Sequence, residues 1–186
     1  MMNDIDICST ALLMLGADEI TTFDDETREA KICKRIYELV VRGCLAERDW
    51  TFAQNSVILN KLSDIPLFGY SSAFRLPSDY LRLVGKENPG LPHSIKEQYL
   101  YCNASELKVN YVFRVSEEKF PPIFNMYVVQ SLCKVLAISL LEDEKKAAYY
   151  EDQAASTRRK AGLMDSQSNG NSKMAFHNFA LLAVRY

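Results

Sequence analysis

Histidine is almost missing from this chain: His93 and His177 are the two in 186 residues. Cysteine occurs at Cys8, Cys33, Cys44, Cys102 and Cys133, but never as a CxxC pair. HExxH, GxSxG, the glycine-rich phosphate loop and a zinc-spaced Cys/His set are lacking too, so no familiar nucleophile, base or metal site is spelled out. His93 follows Pro92 in a turn-rich stretch and reads as a loop imidazole; His177 lies in the C-terminal tail. Four of the cysteines sit among apolar residues at helical spacing, as reduced thiols of a core would.

No apolar run approaches the roughly 20 residues of a spanning helix, and the opening "MMNDIDICST" is acidic where a signal peptide is basic. The expectation is a protein on the cytosolic side of synthesis, with no membrane partner and no cofactor. A net charge of −2 supplies no general excess of cations to neutralise phosphates. Hydrophobic residues at 48% and charged residues at 25% match an ordinary globular protein, long enough for one domain with an inserted subdomain.

What is present is periodicity. Ile5, Cys8, Leu12 and Leu15 recur at helical spacing before Gly16, a natural helix stop. A second helix follows, with Asp24 or Asp25 as its cap and an apolar stripe of Ala30, Cys33, Tyr37, Val40, Val41 and Cys44. At Trp50 the period changes to that of strands, and short punctuated strands run to about Arg114; "QYLYCN" and "LKVNYVFRV" read as a hairpin turning at "NAS". After Pro121 and Pro122 an apolar helix buried on most faces is expected. A fourth helix follows, with a thin stripe of Ala147, Tyr150, Ala154 and Ala161, on an outer face or against a neighbour.

The predicted fold is mainly α: a four-helix bundle (1–49 and 117–164) interrupted by a small antiparallel β subdomain (50–116), with a linker and extended C-terminal arm at 165–186. Two carboxylate pairs, Asp24 with Asp25 and Glu117 with Glu118, suit a sugar-cleaving acid and base in principle. The first reads more simply as a helix start. Basic residues in "TRRK" at 157–160 could meet phosphates, but the commoner reason for them is the last turn of a helix.

In order along the chain, "ALLMLG", "FDDETREAKICKRIY", "RDWTFA" and "FRLPSDYLRL" resemble the head-to-tail adaptor family of short-tailed bacteriophages, the tail tubular protein A type. The resemblance runs from about Ile5 to Tyr111 and more loosely to Leu163. It implies a virion protein without catalytic activity, forming a ring of about twelve copies between the portal protein and the distal tail or nozzle protein. Double-stranded DNA would pass through the ring during ejection without sequence-specific contact. Assembly would occur in the host cytoplasm, and the final location would be the virion neck. Trp50 and Phe52 of "RDWTFA" then read as rings that lock the subdomain to the bundle. Pro77 and Asp79 of "LPSDYLRL" shape the turn into a strand.

The chain finishes with "DSQSNGNSKMAFHNFALLAVRY", a polar stretch followed by an apolar one. In a docking arm, Phe176, Phe179, Leu181, Leu182 and Tyr186 would fill grooves on the portal or an adjacent copy. The competing readings are a final helix or strand packed on the chain's own bundle, a virion-associated glycoside hydrolase, and a small protein-binding module.

Overall fold

The computed structural model describes residues 2–63 and 69–168. Helix makes up 50% and strand 20%, the strands forming two antiparallel sheets of three and four, so the fold is mixed α/β. This corrects the expectation of a helix bundle with a small insert: the β part carries its own core. The chain divides into two compact units, one of Met1–Cys44, Trp50–Phe52 and the chain from Ser116 onward, the other of Leu45–Asp49 and Ala53–Val115.

In the helical unit, α1 (Asp4–Leu15) is closed at both ends by local chemistry. The Asn3 side chain accepts from the Asp6 amide while the Asp6 carboxylate accepts from the Asn3 amide, and Gly16 takes the left-handed backbone (φ 79°) that ends the helix. α2 (Arg28–Ala46) buries Ala30, Cys33, Tyr37, Val41 and Cys44 of the stripe read from the sequence and leaves Val40 half-buried. Its cap is Thr27, whose hydroxyl accepts from the Ala30 amide at 3.2 Å, and not Asp24 or Asp25. Asp25 instead accepts from the amides of Thr21 and Thr22 and closes the loop before α2.

α3 (Pro122–Leu141) packs against α1 and against α4 (Glu144–Ser168). Pro122 at its first turn removes an amide that has no helical partner there, which is why the double proline starts the helix. Over its 20 residues α3 is, contrary to the sequence reading, long and apolar enough to cross a bilayer by those two measures, with mean hydropathy 1.6. Phe124, Val128, Leu132, Cys133 and Leu136 along it are all buried. Glu142 (φ 53°) and Asp143 turn the chain, and the Asp143 carboxylate accepts from the Lys146 amide to open α4.

The stripe of α4, expected on an outer face or against a neighbour, is buried within the chain, where α4 packs on α3, and Tyr150 donates to the carbonyl of Met14 at 2.8 Å. α4 continues through Ser168, so Asp165 and its neighbours are helical rather than linker, and Arg158, Arg159 and Lys160 lie mid-helix rather than in a last turn.

In the β unit one sheet has the order β1 (Gln54–Ile58), β7 (Lys108–Phe113), β4 (Tyr80–Lys86). The other has the order β2 (Asn60–Lys61), β3 (Ser72–Arg75), β6 (Tyr99–Cys102), β5 (His93–Lys96). A single buried residue, Leu59, carries the chain from β1 to β2 and hence between the sheets. Alternation along the strands sends Phe74, Leu100, Cys102, Val109 and Tyr111 into one shared core with Leu59, Leu76 and Leu107.

The expected β6–β7 hairpin does not form, because these strands belong to different sheets. β6 turns instead from β5 through Glu97 and Gln98, with Lys96 opposite Tyr99 and Glu97 at φ 54°. His93, read as a loop imidazole, is in β5, its Nδ1 2.9 Å from Lys86 Nζ.

Candidate functional site

Where α2 ends, the chain passes through "RDWTFA", and a turn of 3-10 helix covers Thr51–Ala53. Its rings turn into the helical unit. Trp50 is buried, donates its indole N–H to the Cys44 carbonyl at 3.0 Å, and meets Phe124 edge-on with centroids 5.1 Å apart. Phe52 meets Phe124 at 4.9 Å and Phe120 at 6.2 Å. Tyr127 completes the cluster, 5.8 Å from Phe124. Edge-to-face pairs of this kind are each worth about 0.5–1.5 kcal/mol beyond the area they bury, so the cluster fixes the first turn of α3.

Thr51, between the two rings, reaches the far end of the unit. Its hydroxyl donates to Asp165 Oδ1 at 2.6 Å and its amide donates to the same carboxylate at 3.1–3.2 Å. The last turns of α4 are thereby held beside the start of α3. Between them lies a groove of about 500 Å³, walled by Trp50, Phe52, Ile123, Phe124, Met164 and Asp165. Met164 is 55% exposed on its rim. The walls are apolar apart from Asp165, whose carboxylate Thr51 already occupies, so the groove suits apolar side chains rather than a charged ligand.

The other sequence candidates do not converge on this place. Asp24 pairs with Lys34 at 2.8 Å. Asp25 is held by the Thr22 and Thr21 amides and hydroxyls, which lower its pKa to about 2. Glu117 accepts from the Tyr37 hydroxyl at 2.9 Å. Asp24, Asp25 and Glu117 thus each have a structural partner. Asp79 does not confine itself to its turn: its carboxylate accepts from the Tyr111 hydroxyl at 3.2 Å and its carbonyl from the Arg114 amide. Phe176, Phe179, Leu181, Leu182 and Tyr186 lie outside the described residues.

All the cysteines are free and buried. Cys8 and Cys33 share a hydrogen bond between α1 and α2, which together with burial pushes the Cys8 thiol up; burial alone pushes Cys133 up to about 12. Cys8 and Cys133 therefore stay protonated at neutral pH, while the hydrogen bond from Cys8 lowers the Cys33 thiol. Among the described residues no group of three His, Cys, Asp or Glu side chains is placed to hold a metal ion.

No protein-family model and no curated protein sequence matches the chain. Trp50 and Phe52 of "RDWTFA" stood out in the sequence as packing rings but not as the wall of a groove, and nothing in the sequence pairs Thr51 with Asp165, which lie 114 residues apart.

Proposed function

We propose that the chain is a structural protein of a short-tailed bacteriophage, a head-to-tail adaptor that joins a portal ring to the distal tail component around the DNA channel. The observation that carries this reading is the order of the four family-like motifs, each of which falls on a packing joint. "ALLMLG" forms the end of α1, burying Ala11, Leu12 and Leu15, with its Gly16 stop, and "FDDETREAKICKRIY" contains the Asp25-closed loop and the start of α2. "RDWTFA" supplies the aromatic cluster, and "FRLPSDYLRL" runs from β3 through the Pro77 turn into β4. Motifs of this kind preserve a scaffold rather than a reaction.

A ring also needs apolar contact surface between copies. Leu39 on α2 is 73% exposed, Ile138 on α3 54% and Leu163 on α4 66%, so each helix has an apolar side chain available for such a contact. Passage of DNA through such a ring suits a mildly acidic chain, since a basic lumen would hold the phosphates.

The test is to mix the purified chain with portal rings encoded by the same genome and image the products by cryo-electron microscopy. A ring of this protein seated on the portal is the expected result. Portals that stay bare at saturating protein would overturn the reading.

A further inference from the structure

We infer that the groove between the first turn of α3 and the last turns of α4 receives the chain's own C-terminal segment, residues 174–186. The groove and the segment match in chemistry. Trp50, Phe52, Ile123, Phe124 and Met164 offer an apolar trough, and "MAFHNFALLAVRY" brings Phe176, Phe179, Leu181 and Leu182 with few charges.

They also match in position. Met164 and Asp165 lie within the last turn or so of α4, so the chain beyond Ser168 begins about 4.5 Å from Asp165 at about 1.5 Å of helix rise per residue. From Ser168 to Phe176 the chain can span up to about 26 Å at about 3.3 Å per residue, more than enough to double back.

The tether decides between this occupant and a second copy. Covalent connection over a few residues holds a segment at an effective concentration of order millimolar, about a thousandfold above a micromolar solution of the protein. Docking too weak to join two chains therefore closes the groove within one. The inference rests on the groove and the linker and not on the adaptor reading, so it can fail while portal binding succeeds, and the reverse.

Hydrogen exchange on the full chain tests it, comparing wild type with the double variant F176D/F179D and, separately, with M164D on the exposed rim of the groove. Exchange is followed at residues 123–126 and 161–165, at about 1 µM and about 100 µM protein, both well below the effective concentration of the tether. The expected result is exchange about tenfold slower in wild type than in either variant, as for a groove closed about nine-tenths of the time, and equal at the two concentrations. Adding a synthetic peptide of residues 174–186 to the F176D/F179D chain should restore the slow exchange. Equal exchange in wild type and variants would overturn the inference, and so would protection that grows with protein concentration, which would assign the groove to a second copy.

Discussion

Thr51 donates two hydrogen bonds, one from its hydroxyl and one from its amide, to the carboxylate of Asp165. A residue in the turn after α2 thereby clamps the last turns of α4, and the aromatic groove opens between them. Replacing Asp165 with Ala leaves the partly buried Thr51 donors without their acceptor and is expected to cost about 1.5–3 kcal/mol, the usual scale for hydrogen bonds to a charged group. T51V, which keeps the amide donor, should cost less, and the two changes together should cost less than their sum. Urea unfolding of the three variants checks this.

Asp25 ties stability to acid. Its pKa is about 2 in the folded chain because the Thr22 and Thr21 amides and hydroxyls favour the carboxylate; in the unfolded chain it returns to about 3.8. A lowered folded pKa means that the bonds help fully above the unfolded value and lose their contribution as pH falls from about 4 to about 2. D25A should therefore melt below wild type at pH 7, and the gap should close over that range. Thermal melts at a series of pH values would show it, and a gap that stays constant down to pH 2 would contradict the assignment.

The thiols should be silent in the native chain. Cys8, Cys33, Cys102 and Cys133 are fully buried and Cys44 nearly so. A thiol reagent at pH 8 is expected to label none of them within minutes and all five in guanidinium.

Gln130 offers a route to a more stable protein. It is 8% exposed in the middle of α3, and its Oε1 has no hydrogen-bond partner among the described residues. Q130L removes that buried acceptor at similar volume, and is expected to add about 1 kcal/mol, or about 2–4 °C in melting temperature for a chain of this size. Calorimetry on the two proteins measures it.

Helical periodicity made the buried stripes of α2 and α4 legible, because a stripe is a property of one segment. What depended on a partner was not. Asp24 and Asp25 looked like the cap of α2 because acids favour helix starts, yet Thr27 is closer and Asp25 is needed by the loop. "NAS" has the composition of a hairpin turn, while the turn that exists uses Glu97 and Gln98, and nothing about a glutamate announces φ 54°. The first passage of the chain between the two sheets is made by Leu59, which reads as one more apolar residue in a strand. At the groove, the rings of Trp50 and Phe52 could be seen in advance; the clamp from Thr51 to Asp165 could not.

The inserted β unit also sets the order in which the ribosome completes the parts of this protein. Its residues are all synthesised once Val115 has emerged, while α1 and α2, made first, still await α3 and α4. The chain beyond Val115 takes about 4–14 s more at about 5–20 residues per second. For those seconds α1 and α2 have only each other and lack α3 and α4, while the β unit already has every strand it needs. Helices made before the β unit are covered only after it, and it is there that a folding chaperone would find its target.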